Sequence, residues 1–353
     1  MRIAQVAPLY ESVPPALYGG SERVVSYLTE ELVRQGHEVT LFASGDSITK
    51  ATLISPCERA LRLDPDCRDP LAYHTIMLDD VFRRVNDFDI VHFHIDYIHF
   101  PFSRRNCVPH ITTLHGRLDL PELATLYRQF GDIPLVSISD AQRRPVPWAN
   151  WLATVYHGVP ERLYRFHEAP GSYLAFIGRI SPEKGVDRAI DAAIQVGMPL
   201  RIAAKVDKVD RDYFETRIKP KLDHPLIEFL GEIGEKEKGD FLGGACALLF
   251  LIDWPEPFGM AMIESLACGT PVIALRRGSV PEVIDDGVTG FVVDEVEEAV
   301  EAIQRIERLN RKDCRKATET IFSDSRMAKD YLCQYARLQT EGLFTGTSNA
   351  GLR

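Results

Sequence analysis

Trp254-Pro255-Glu256-Pro257-Phe258-Gly259-Met260-Ala261-Met262-Ile263-Glu264-Ser265-Leu266-Ala267-Cys268-Gly269-Thr270-Pro271 lies between two short apolar runs, 247–251 and 272–275. Such runs, joined by a helix-compatible stretch, read as neighbouring strands of a parallel sheet covered on both faces. Pro255 and Pro257 keep Glu256 extended, because a residue preceding proline avoids the helical region. The spacing predicts a helix from near Gly259 to Gly269, with Pro271 forbidding its continuation. Glu256 then sits on a loop at the carboxyl end of a strand, and Glu264 about one and a half turns into the helix. Between them the amides near Phe258, Gly259 and Met260 point out of a helix N-terminus, where an anion is welcome. Two carboxylates flanking an anion site suit a ligand with hydroxyls at both ends and phosphate in the middle. A capped helix with incidental surface acids is the alternative at this point.

The same alternation runs outward in both directions. Strands are expected at 2–7, 38–43, 89–94, 110–114, 134–138 and 153–156. The rhythm restarts at 173–177 and continues through 200–204, 227–230, 247–251, 272–275 and 290–293. Helical spacing of Val24, Val25, Leu28, Leu32 and Val33 fills the first gap, and Gly36 stops it. The expected fold is α/β: two doubly wound, Rossmann-like parallel-sheet domains facing a central cleft. They divide as 1–160, a loop-like linker at 161–172, and 173–325. A helix at 326–341 is expected to pack back across the first domain, followed by a frayed tail at 342–353. The stripes Val296, Ala299, Val300, Ile303, Ile306 and Met327, Tyr331, Tyr335, Leu338 read as plain core packing.

A chain of 353 residues suits two domains, and its net charge of −10 disfavours nucleic acid as a partner. No apolar run approaches the roughly 20 residues of a spanning helix, which leaves at most a weak peripheral contact with a membrane. The seven cysteines are scattered and never form a Cys-x-x-Cys pair, and residues 1–6 read as strand rather than leader. A reducing cytoplasm is the expected home.

Two further loops bear on chemistry. The strand at 173–177 ends in Gly178-Arg179-Ile180-Ser181-Pro182-Glu183-Lys184-Gly185, which places two cations and two glycines where open α/β sheets hold phosphates. The spacing excludes a Walker A loop, and no Gly-x-Gly-x-x-Gly follows a strand. After the first strand, Gly19-Gly20-Ser21 permits close backbone approach to a ligand, with Ser21 able to cap the following helix.

Taken in order, these features resemble a retaining glycosyltransferase of the GT-B fold, in the large family 4 group (glycogen-synthase-like, glycosyl transferases group 1). The Glu-x7-Glu block with Pro-Phe-Gly and Ala-Cys-Gly-Thr-Pro carries most of the resemblance, which covers almost the whole chain. It implies transfer of a hexose from a nucleotide sugar to a hydroxyl of a small-molecule, lipid or glycan acceptor. UDP-glucose is the donor expected first, on family frequency, ahead of GDP-mannose or another UDP-hexose. No metal and no cofactor beyond that donor is implied, because Arg179 and Lys184 would hold the diphosphate. Glu264 would accept from the ribose hydroxyls. Glu256, with the amides of Phe258, Gly259 and Met260, would hold the transferred sugar. Gly19 and Gly20 would reach the diphosphate across the cleft, and His115, in Thr113-Leu114-His115-Gly116, would meet the donor sugar at the reacting centre. Backbone around 231–233 is the expected base contact. His157-Gly158-Val159 stands where the family usually has Asn-Gly-Val, which weakens a side-chain role there.

His92, His94 and His99 invite a metal reading, but no carboxylate trio stands near them, so packing or acceptor contacts are expected. Asp96 is a candidate on the acceptor side, with a loop cap as its alternative. The loops 50–73 and 97–106 are expected to set acceptor specificity. An epimerase of the same architecture and a non-catalytic nucleotide-sugar sensor are the other classes. The first would need no acceptor, and the second could dispense with Glu256 and His115.

Overall fold

In the computed structural model, residues 1–106 and 109–340 are described. The tail expected at 342–353, residue 341 and Cys107 lie outside them. The first sheet has seven strands: β1 (Arg2–Val6), β2 (Glu38–Phe42), β3 (Thr52–Ile54), β4 (Ile90–Phe93), β5 (His110–Thr113), β6 (Leu135–Ser137) and β7 (Trp151–Thr154). Their order is β3-β2-β1-β4-β5-β6-β7, and every pairing is parallel. The second has six: β8 (Tyr173–Arg179), β9 (Leu200–Lys205), β10 (Ile227–Gly231), β11 (Ala245–Phe250), β12 (Val272–Leu275) and β13 (Gly290–Val293). Their order is β10-β9-β8-β11-β12-β13, again all parallel.

Strands β4, β5, β11 and β12 are buried along their whole length, because helices cover both faces of each sheet. Strand order reverses at β1/β4 and at β8/β11. Such switch points open a crevice beyond the carboxyl ends of the strands, and two adjoining ligand-sized hollows lie there.

Two strand expectations are corrected. β7 covers Trp151–Thr154 rather than 153–156, because Ser137 pairs with Thr154 and sets the register. β3 was not expected: three residues on a sheet edge carry too little apolar pattern to be read, and they fall within a stretch taken as acceptor loop.

The final helix, Asp324–Thr340, starts where Val159 N–H donates to Phe322 O (2.8 Å) and Asp324 N–H to Val159 O (3.1 Å). Gly158 makes that crossing feasible: a Cβ there would lie 2.2 Å from Ser323 O. The helix lies against helix Gly20–Arg34 of the first domain. Its buried stripe is more than core packing, because the hydroxyls of Tyr331 and Tyr335 enter a polar network under the first sheet. No helix among the described residues is long and apolar enough to cross a membrane.

Candidate active site

Two cavities meet in the cleft. The smaller, about 970 Å³, has Arg179 and Lys184 on one flank and Arg23, Lys238 and Glu264 on another. The larger, about 1460 Å³, holds His94, His115, His157 and Asp96. Gly19, Gly20, Gly259 and Met260 line both, so the glycine pair of the first domain faces a helix start of the second across their common wall.

The cationic flank is shaped by β8 and the turn after it. Gly185 has φ of 71°, and a Cβ there would fall 2.0 Å from Leu251 O, so glycine lets this turn press against the end of β11. Lys184 Nζ consequently reaches Glu256 Oε2 at 2.5 Å and lies 5.2 Å from the centre of the Trp254 ring. Trp254 Nε1–H donates to the same oxygen (2.9 Å). Arg179 donates to Glu183 Oε1 (2.6 Å), with Asp210 at 3.5 Å and Asp207 at 3.9 Å.

Helix Met260–Ala267 starts at Gly259, whose φ is 83°. The loop before it is pinned from outside: Ser139 Oγ donates to Pro257 O (2.6 Å) and Ser279 Oγ to Phe258 O (2.9 Å). The first amides of a helix lack intrahelical partners, and Gly259 and Met260 at this helix start line both cavities. Glu264 is buried on this helix and accepts from Lys238 Nζ at 2.8 Å. Burial would raise its pKa, but Lys238 and Arg23 outweigh that and hold it below the ordinary carboxylate value.

The larger cavity is walled by imidazoles. His94 Nδ1 is 2.9 Å from His115 Nε2, and the His115 ring stacks on His157 at 5.2 Å between centres. His157 meets the Phe258 ring edge-on at 4.8 Å. Burial pushes His115 down to about 4 and His94 and His157 well below the usual histidine range, so the wall is neutral at pH 7. Asp96, held at φ of 52°, is exposed on the wall of the larger cavity, and desolvation by that wall lifts its carboxyl to about 6. Burial likewise raises Glu22 to about 7.

The structure thus brings Gly19, Gly20, Arg179, Lys184, Gly259, Met260 and Glu264 to one cavity, and His115 and Asp96 to the adjoining one with Phe258. Glu256 lines neither; its carboxylate is engaged by Lys184 and Trp254. Glu232 and Ile233, from the stretch expected to meet a base, line the smaller cavity. Arg62 and Leu71, from the loop 50–73, and Tyr97 line the larger.

His157 corrects the sequence reading, since its side chain is part of the wall. His92, His94 and His99 face hydroxyls, an amide and His115, and among the described residues no group of three or more His, Cys, Asp or Glu could hold a metal ion. Arg23 and Lys238 were missed. Arg23 sits one turn after the glycine pair, a spacing that signals a shared helix face; Lys238 lies on a helix with no apolar pattern to orient it.

Residues 166–321 match the family model described as glycosyl transferases group 1, and residues 18–170 match that of glycosyltransferase family 4. The chain is 26% identical over 220 residues to an uncharacterized glycosyltransferase of Methanocaldococcus jannaschii, covering 59% of this chain and 61% of that protein. It spans less than two thirds of the length of the first curated relatives it matches. A sucrose-phosphate synthase from Thermosynechococcus elongatus superposes with a TM-score of 0.77 at 18% identity, covering 96% of this chain and 98% of that one. Anabaena HepE in complex with UDP and glucose gives 0.70 at 18% identity, over 96% and 100%. At such identities the likeness is one of fold.

Proposed function

The chain belongs to the glycosyl transferases of group 1 and has their GT-B fold, and on that premise we propose that it is a retaining hexosyltransferase. It would use a nucleoside-diphosphate sugar, UDP-glucose first, and a hydroxyl-bearing acceptor. The observation that carries this reading is the wall shared by the two cavities. A donor laid across it has its nucleoside in the smaller cavity, its diphosphate between the glycine pair and the helix start, and its hexose at the mouth of the larger. Binding of UDP and glucose by Anabaena HepE supports that choice of donor.

Arg179 and Lys184 meet the diphosphate charge, so the reading requires no divalent metal. Their positive charge and the amides of Gly259 and Met260 are fixed before reaction, which stabilises the leaving diphosphate without reorganisation. Glu264, kept anionic by Lys238, offers its oxygens to the ribose hydroxyls. A diphosphate arriving at Lys184 competes with Glu256, and the released carboxylate then orients hexose hydroxyls. The bond from the anomeric carbon to the β-phosphate oxygen breaks, with its electron pair leaving on the nucleoside diphosphate. The acceptor oxygen bonds the same face, and its proton passes to the leaving phosphate oxygen. A neutral His115 places no like charge beside a sugar with oxocarbenium character. Approach of the two domains excludes water and suppresses donor hydrolysis.

The acceptor, whether small molecule, lipid or glycan, occupies the larger cavity near Asp96. A reducing cytoplasm suits the free thiols of Cys57, Cys67, Cys246, Cys268, Cys314 and Cys333. The test is a thermal-shift screen of nucleotide sugars; ligand at a hundredfold its Kd should stabilise the fold by about 2.7 kcal/mol. Lys184→Ala should then weaken UDP far more than uridine. Equal weakening of both would sink the phosphate role, and a screen without any shift would sink the donor. The anomeric configuration of the product, read by proton NMR, decides retention.

A further inference from the structure

Beneath the larger cavity runs a buried polar chain that the transfer reaction, as proposed, does not employ. Tyr335, on the C-terminal helix, has its hydroxyl 3.2 Å from Gln5 Nε2 and 2.7 Å from His92 Nδ1. Gln5 Oε1 lies 2.8 Å from His94 Nε2, and His94 Nδ1 lies 2.9 Å from His115 Nε2. Gln5, His92 and Tyr335 are fully buried and His94 nearly so. No water can therefore substitute for a partner that faces the wrong way.

The sense of each hydrogen bond follows from this geometry. A carboxamide oxygen only accepts, so the His94 proton sits on Nε2. A neutral imidazole has one N–H, which leaves His94 Nδ1 as a lone pair. His115 Nε2–H must then donate to it, and His115 Nδ1 carries no proton. Among the described residues that nitrogen is buried and without a partner. Reversing the Gln5 amide would reverse every link and leave an orphaned N–H at the same place. Buried donors without partners are rarer than acceptors, so the first sense is the stable one. Gln5 Nε2–H then donates to Tyr335, whose own hydroxyl donates to His92 Nδ1. His92 Nε2–H in turn donates to Thr113 Oγ1 (2.7 Å).

We propose that Gln5, oriented by Tyr335, and His94 are positioning residues that fix the tautomer of His115, with its proton on Nε2 and Nδ1 left as an acceptor. The catalytic consequence rests on the reading of the cavity as the transfer site, while the tautomer itself does not. With its N–H turned inward, His115 has no hydrogen to offer a sugar. Its Nδ1, buried in the ligand-free chain, can be reached only if the wall opens on binding, and the hydroxyl that reaches it must then present its own hydrogen, which sets the roll of the hexose. The C-terminal helix thereby contributes to the reacting centre without touching a ligand.

Long-range proton–nitrogen correlation spectra of the full chain, labelled with ¹⁵N-histidine and free of ligand, test this directly. Three neutral rings, His92, His94 and His115, should each show a protonated Nε2 and a bare Nδ1. Gln5→Leu, and more mildly Tyr335→Phe, should leave His115 sampling both tautomers. In the transfer assay Gln5→Leu should lower kcat roughly 10–100-fold, while the Kd for UDP stays within about twofold. A proton found on Nδ1 of His115 in the wild type overturns the proposal, as does a His115 spectrum that neither variant alters. The spectra need no donor or acceptor, so the relay can fail while transfer stands. A chain that binds no nucleotide sugar would sink the transfer reading without moving the tautomer.

Discussion

Asp96 shows what a single residue's surroundings do to its chemistry. Desolvation lifts its carboxyl from 3.8 to about 6. Between those values the native chain keeps a proton that the unfolded chain has released. The resulting stabilisation is complete below about pH 4 and disappears as the pH rises through 6. Asp96→Asn, which cannot ionise, should therefore raise Tm relative to wild type near pH 7.5 and leave it little changed near pH 4. Thermal denaturation at the two pH values checks the sign, and a larger gain at the acidic value would contradict it. The same dependence on surroundings hid His157. A histidine in a His-Gly-Val turn has no readable role in the sequence, and acquires one when His115 stacks on one side of it and Phe258 closes the other.

At the scale of elements, Glu264, Lys238 and Arg23 stand on helices, whereas Glu256 is held in place by loops. The segment bearing Glu256 is clamped by its neighbour: Ser279 N–H donates to Glu256 O (3.0 Å), and Gly278 has φ of 54° with its virtual Cβ 2.3 Å from that same oxygen. Gly278→Ala should cost roughly 1–3 kcal/mol of stability, because both the backbone angle and the contact must yield. It should also lower kcat more than it raises the Kd for UDP, since Glu256 shifts while Arg179 does not. Urea unfolding and steady-state kinetics read the two effects, and an unchanged stability would show that the loop relaxes freely. Helix Met260–Ala267 was visible beforehand because glycine and proline bracket it. Edge strand β3 was not, since three residues cannot display a period.

For the whole molecule, a small polar cluster beside the cleft adds to the contacts that join the two halves. Arg23 of the first domain forms an ion pair with Glu235 of the second, and the hydroxyls of Tyr27 (3.2 Å) and Tyr164 (2.6 Å) donate to the same carboxylate. Tyr18 N–H also crosses the cleft, to Glu232 Oε1 at 3.0 Å. Glu235→Ala would remove the ion-pair partner of the buried Arg23 guanidinium and leave Glu264 as its nearby anion, so the cost should fall below the roughly 3–5 kcal/mol of a fully uncompensated buried charge. It should raise the KM for the nucleotide sugar and enlarge the radius of gyration seen by small-angle X-ray scattering. Unaltered scattering together with unaltered KM would rule the cluster out as a latch.

The architecture was legible before any coordinates, because parallel strands buried on both faces must be continuously apolar, and their carboxyl ends must carry the loops that meet ligands. The residues of those loops announced themselves through types rare elsewhere: paired glycines, cations after a strand, carboxylates around a helix start. What the linear order could not express was contact across the cleft. That Lys184 would engage Glu256, that Lys238 would charge-balance Glu264, and that a tyrosine some 330 positions from Gln5 would orient it are outcomes of packing. Sequence pattern specifies which face of an element is buried. Which polar groups meet inside is decided only when the elements close on one another and water is expelled between them.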